Sequence, residues 1–239
     1  MSDSNIVIFG ANGGIGNAFV KYYLNQSDTA KVYAFSRNGL PITDDKLVDT
    51  KIDVLNETEL GQGIKVLGDT KVDRIIIALG TLHTDNRKPE KQLTDIDLAN
   101  LQEVFNINTF APVLILKHIK PYINKGQPNV ISILSARVGS ISDNRLGGWY
   151  AYRASKAALN MLIKCTAVEF ARSHKRTVII GIHPGTVDTG LSKPFQGRLK
   201  PGQLFTPEHS VSQMAEVIEN VTTEKSGLCL AYDGTVIPS

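Results

Sequence analysis

Tyr152 and Lys156 are the pair in this sequence best placed for acid–base chemistry. They stand four residues apart in Trp149-Tyr-Ala-Tyr-Arg-Ala-Ser-Lys156, at the head of an apolar-periodic segment that runs to about Ser173. In an α-helix that spacing puts both side chains on one face, about 6 Å apart along the axis. An ammonium held beside a phenol favours the phenolate and pulls its pKa down from about 10 toward neutrality. Such a phenol gives up a proton and takes one back. On a surface helix the same spacing is an ordinary aromatic beside a solvated lysine, so the rest of the chain decides what the pair means.

A second cluster lies near the start. Ile6 to Phe9 reads as a strand and ends at Gly10-Ala-Asn-Gly-Gly-Ile-Gly16, after which helical periodicity begins with Ile15, Ala18, Phe19 and Tyr22. Glycines between a first strand and a first helix let a pyrophosphate approach the backbone at the positive end of the helix. Gly10, Asn12, Gly13, Gly14, Ile15 and Gly16 are therefore candidates to hold a dinucleotide. The end of the next strand carries Ser36-Arg37-Asn38 where an acidic residue would accept bonds from a ribose 2′-hydroxyl. A hydroxyl followed by a guanidinium suits a 2′-phosphate, which favours NADP over NAD. Asp53-Val54 ends the third strand and places a carboxylate within reach of an adenine, although Asp53 reads equally as a loop or cap residue.

The elements that would position these groups alternate strand and helix. Lys31–Phe35, Leu47–Ile52 (polar, near an edge), Arg74–Leu79, Asn129–Leu134, Thr177–Ile182 and Leu228–Ala231 complete seven strands. Helices are expected from Asn56, as a cap, to Leu67, from about Asp95 with a kink or restart at Pro112, over the Tyr152 segment, and over Ser210–Val221 with Pro207 near its start. Alternation of this kind predicts a single α/β domain over 1–239, a doubly wound Rossmann-type parallel sheet with helices on both faces. Two segments escape it, 81–94 and 186–206. Both leave the carboxyl ends of strands, where open α/β sheets bind ligands, and 186–206 is expected to act as a substrate loop or lid.

Composition excludes several classes. The chain has 239 residues, 42% hydrophobic and 21% charged, with a formal charge of +3. That balance, with scattered Lys and Arg, argues against nucleic acid as a partner. No apolar run reaches the ~18 residues that cross a bilayer, and the N-terminus lacks the basic and apolar regions of a signal peptide, so a cytoplasmic protein is expected. Cys165 and Cys229 sit in apolar periodic segments and are expected as buried thiols. His83 and His183 have no second ligand at suitable spacing, so no metal site is expected.

Taken together, these motifs resemble the short-chain dehydrogenase/reductase family over nearly the whole chain. Gly10-Ala-Asn-Gly-Gly-Ile-Gly16, Asp53-Val54, Val130-Ile-Ser-Ile-Leu-Ser135, Tyr152-Arg-Ala-Ser-Lys156 and Pro184-Gly-Thr-Val-Asp-Thr189 occur in that family's order. The wording from Gly147 to Met161 further resembles the branch that includes the C-factor cell-signalling proteins. The resemblance implies strand order 3-2-1-4-5-6-7 and an oxidoreductase interconverting a carbonyl and an alcohol. It implies Tyr152 as the general acid or base, Lys156 as the group that lowers its pKa and holds the nicotinamide ribose, and Ser135 as the donor to the substrate oxygen. Asn108 is implied as the helix asparagine of a proton path. Gly80, Pro184, Gly185, Val187 and Thr189 are implied along the cofactor. A homodimer or homotetramer is expected, packed through the fourth helix and the Tyr152 helix. The alternative implied by the C-factor wording is a dinucleotide-binding signalling protein with little turnover. The chain departs from the family at Ile77-Ala78-Leu79-Gly80, where asparagines usually brace the sheet. Arg145, Arg198 and Lys200 offer charge for an acidic substrate but read equally as solvated.

Overall fold

Strand β1 (Ser4–Phe9) explains why the sheet is covered on both faces. Val7 and Phe9 point into one apolar cluster while Ile6 and Ile8 point into another, all at most 1% exposed. Successive side chains alternate across a strand, so a run apolar at every position must be buried on both sides. β5 (Asn129–Leu134) repeats this, with Ile131 and Ile133 on the first side and Val130 and Leu134 on the second. A computed structural model describes residues 3–84 and 86–239, apart from the side chain of Arg198.

The remaining strands of the sheet are β2 (Thr29–Ser36), β3 (Leu47–Lys51), β4 (Arg74–Ile77), β6 (Thr177–His183) and β9 (Cys229–Ala231). All pairs are parallel, in the order β3-β2-β1-β4-β5-β6-β9, which is the expected order with β9 as the seventh strand of this sheet. Helices α1 (Gly14–Leu24) and α6 (Pro207–Asn220) cover one face. The other is covered by α2 (Glu57–Gly63), α4 (Ala111–Ile119) and α5 (Tyr150–Ser173). Asn56 caps α2 by accepting from the Glu59 N–H, as its position implied. No helix among the described residues is long and apolar enough to cross a membrane.

Several expectations are corrected. The helix expected from Asp95 starts later, as α3 (Leu98–Phe105) capped by Asp97, because a short 3₁₀ turn occupies Leu93–Asp95. α3 passes through a π turn at Asn106–Phe110 before α4, and Pro112 falls in the first turn of α4, where its missing N–H costs nothing. Segment 186–206 is not wholly loop: β7 (Thr186–Val187) pairs in parallel with β8 (Leu204–Phe205), pinning both ends of the excursion together. Cys165 is exposed rather than buried, because it falls on the outer face of α5, and Cys229 is only partly buried.

Candidate active site

The glycine turn is shaped by backbone contact. A Cβ on Gly16 would lie 2.2 Å from the Gly10 carbonyl oxygen, and one on Gly10 would lie 2.5 Å from that of Ala78. Only hydrogen fits at these two points, so β1, β4 and α1 close tightly at the carboxyl edge of the sheet. α1 opens with Gly13 as N-cap, without a side-chain cap and without an acidic residue in its first turn. Asn12, Gly13 and Gly14 are exposed there. A helix N-terminus with free N–H groups and open backbone fits a phosphate.

A cavity of about 560 Å³ opens beside this turn. Gly13, Gly14, Ile15, Gly80, Ser135, Tyr152, Lys156, Pro184, Gly185, Val187 and Thr189 all line it, so chain segments far apart in sequence meet around one space. Tyr152 and Lys156 thus share a face of α5 and look toward the glycine crevice. The other candidates sit around it. Gly10 and Gly16 lie beneath the turn, while Ser36 ends β2, Arg37 follows it, and Asp53 and Val54 come after β3 along the same edge. Arg37 is exposed and forms no ion pair among the described residues. The Ser36 hydroxyl already accepts from the Gly39 N–H at 3.1 Å, so it serves the loop first and has its proton left to donate. Asp53 accepts from the Leu55 N–H at 3.0 Å through one oxygen. These residues fit a dinucleotide: open N–H groups for its pyrophosphate and an exposed guanidinium one strand away.

Lys156 is 2% exposed and donates to the Leu134 carbonyl at 2.8 Å. Burial pushes its ammonium down to about 8. Burial moves the Tyr152 phenol the other way, up to about 12. The expected ammonium-depressed phenol is therefore corrected: desolvation dominates, and the Lys156 Nζ is turned to a backbone carbonyl. Tyr152 stays protonated at neutral pH.

Asn108 is fully buried in the π turn, a feature common at functional sites. Its Oδ1 accepts from the Thr81 N–H at 2.8 Å, and its Nδ2 donates to the Thr81 carbonyl at 2.9 Å and to Ser155 Oγ at 3.0 Å. It binds the strand end after Gly80 to the turn of α5 that carries Lys156. The strand bracing absent from Ile77-Ala78-Leu79-Gly80 is supplied here and by the Ala78 N–H, which donates to the Phe9 carbonyl at 2.9 Å.

Sequence reasoning missed Asn160. The Ser135 hydroxyl donates to Asn160 Oδ1 at 2.6 Å. Asn160 continues the stripe of Tyr152 and Lys156 by a further four residues, a signal readable in the sequence. The partly buried Cys229 thiol adjoins the same group: burial raises its pKa against the lowering effects of the Ser135 hydroxyl and Lys156. His183 lines the cavity as a neutral imidazole, since burial and the nearby Arg137 push it down to about 4. The His83 Nε2 meets the Gly190 and Leu191 carbonyls at 3.1 and 3.2 Å, linking segments 81–94 and 186–206. The mouth is apolar, with the Trp149 ring 5.0 Å from that of Phe195 and 6.3 Å from that of Tyr152. Leu82, Val138, Leu191 and Leu199 complete it, and Arg137 is the cation at its rim, whereas Arg145 and Lys200 do not line it and the Arg198 side chain lies outside the described residues.

A doubly wound parallel sheet, a glycine turn at its first crossover and a Tyr–Lys helix facing that turn define an α/β oxidoreductase of the Rossmann type. Residues 4–199 match the model of the short chain dehydrogenase family, and the chain belongs to that family. It is 28% identical to 1-hydroxy-2-glutathionyl-2-methyl-3-butene dehydrogenase of Rhodococcus sp. (strain AD45), covering 98% of this chain and 99% of that one. It is 34% identical to C-signal of Myxococcus xanthus over 61% of this chain and 82% of the other. Among solved structures, NADPH-bound carbonyl reductase from chicken fatty liver superposes with a TM-score of 0.83 at 25% identity, each chain covered completely.

Proposed function

We propose that this enzyme is an NADP(H)-preferring reductase of small carbonyl compounds, with Tyr152 as proton donor. One observation carries the reading: Ser135, Tyr152 and Lys156 converge with the glycine turn on a single cavity, while Arg37, just after β2, is exposed and has no ion pair among the described residues. The NADPH bound in the chicken carbonyl reductase supports the cofactor choice. Gly13, Gly14 and Ile15 would hold the pyrophosphate, Arg37 the 2′-phosphate, and Pro184, Gly185, Val187 and Thr189 the nicotinamide end. When bound, the cofactor supplies the hydride.

The chain's own residues do the rest. A phenol near 12 keeps its proton until a substrate oxygen becomes basic enough to take it, which suits reduction better than oxidation. Lys156, near 8, is mostly protonated at neutral pH and can return a proton to Tyr152. Ser135 gives up its bond to Asn160 to donate to the developing alkoxide, or keeps it while the Asn160 amide turns over and becomes the donor. Trp149, Phe195 and Leu191 exclude water over the reacting carbon, with segment 186–206 acting as the lid. Reductive turnover falls as pH rises through about 8.

The test is steady-state NADPH oxidation against a carbonyl panel, with Tyr152→Phe as control. Turnover that drops at least about 100-fold in the variant, with NADPH affinity retained, supports the reading. Likeness to C-signal favours one rival, a dinucleotide-binding signalling protein. NADPH binding without turnover of any carbonyl, or turnover indifferent to Tyr152→Phe, decides for the rival.

A further inference from the structure

We propose that Glu90, in segment 81–94, is a positioning residue that clamps the entry of α5 and so aims Trp149 and Tyr152 into the cavity. α5 begins without a side-chain cap of its own. Its entry is Gly147, Gly148 and Trp149 at φ of 61°, 63° and 52°, three successive residues in the left-handed region. Trp149 is the one non-glycine residue with positive φ among the described residues. Such a conformation costs a bulky side chain energy and persists only where surrounding contacts over-determine it.

Glu90 supplies those contacts. Its carbonyl accepts from the Trp149 N–H at 2.5 Å, and its carboxylate Oε2 accepts from the Ala151 N–H at 3.2 Å. The other oxygen accepts from Asn100 Nδ2 on α3 at 2.5 Å. The carboxylate is 3% exposed and has no cationic side chain paired with it among the described residues. Its charge instead lies against the positive end of a 24-residue helix. A distant segment thus caps the helix that carries the proton donor. The same clamp fixes the Trp149 ring, which packs on Phe195 of the lid and on Tyr152.

The kinetic consequence rests on the proposed role of Tyr152; the consequence for Trp149 does not. Trp149 is the only tryptophan in the chain, so its emission reports the clamp directly. In the full-length protein, Glu90→Ala keeps the backbone bond to Trp149 but removes the side-chain bonds to Ala151 and Asn100, and is expected to red-shift that emission and increase acrylamide quenching. It should lower kcat by about 10- to 100-fold, the cost of misplacing a reacting group by about 1 Å, with NADPH affinity unchanged. Glu90→Gln should restore emission and kcat. Its carbonyl oxygen can accept from Ala151, and once the Asn100 amide turns over its own amide can donate to Asn100 Oδ1, a buried acceptor with no partner among the described residues. Should Glu90→Ala not fold, Glu90→Asp carries the test, with the same charge one methylene short of Ala151; it should show the shift and a several-fold loss of kcat. Native emission and kcat in Glu90→Ala or Glu90→Asp overturn the proposal, as does a Glu90→Gln variant that is as impaired as Glu90→Ala. A wild type that reduces no carbonyl refutes the proposed function alone, and the emission series still decides the clamp.

Discussion

Lys156→Met should make the protein more stable at pH 6 while abolishing the proposed reductase activity. Lys156 is 2% exposed, and burial takes its pKa from 10.5 to about 8. At about 1.4 kcal/mol per pKa unit, the folded protein bears about 3 kcal/mol for holding that ammonium out of water. The bond to the Leu134 carbonyl, at 2.8 Å, returns about 1–2 kcal/mol. Methionine has a similar length and no charge, so the variant should gain about 1–2 kcal/mol, or roughly 3–6 °C in Tm for a chain of this size. The pH dependence identifies the cause. Between about pH 8 and 10.5 the unfolded chain keeps the lysine proton that the folded protein has lost. Wild-type stability therefore rises with pH across that window relative to the variant. By pH 10 the penalty is down to about 1 kcal/mol, and the variant's advantage disappears. Urea unfolding of both proteins at pH 6 and pH 10 measures this. A variant less stable than wild type at pH 6, or a difference equal at the two pH values, would refute the desolvation argument.

Other outcomes are equally direct. Arg37→Ala should raise the Kd for NADPH about 10- to 100-fold and leave that for NADH unchanged, as loss of a charge-assisted bond to a 2′-phosphate implies; unchanged NADPH binding by fluorescence titration would remove the cofactor preference. Asn160→Asp would hold the Ser135 proton in a strong bond and add a negative charge beside Lys156. Its kcat should drop at least about tenfold and its pH profile move upward, and a profile superimposable on wild type would dismiss Asn160 as a partner of Ser135. Gly16→Ala puts a methyl 2.2 Å from a carbonyl oxygen and should cost at least about 2 kcal/mol in chemical denaturation, with nucleotide affinity lost; native behaviour would contradict the close approach. Phe110, Met161 and Val168 are 50%, 64% and 47% exposed on the π turn and α5. If that face joins copies of the chain, Met161→Glu should turn a dimer or tetramer into monomer in size-exclusion chromatography with light scattering, and a wild type already monomeric would end the idea.

Much of this was legible from residue order because local physics wrote it. Alternating apolar runs and helical periods located the seven strands of the sheet, and the spacing of Tyr152 and Lys156 placed them on one helical face before any fold was known. The misreadings arose where a distant segment overrides a local preference. Cys165 looked buried because it lies in an apolar-periodic segment, yet it is exposed on the outer face of α5. Segment 186–206 looked like loop because strands of two residues leave no periodic trace.

Residue types and intervals by themselves determined the fold class, the family and the side chains able to move a proton, since these depend on covalent spacing and backbone periodicity. Tertiary structure alone decided the protonation of those side chains. Burial raises the Tyr152 phenol and lowers the Lys156 ammonium, the reverse of what their adjacency implies. Tertiary structure also brought Asn160 to Ser135 and Glu90 to the head of α5, contacts between segments whose separation along the chain carries no record of their meeting.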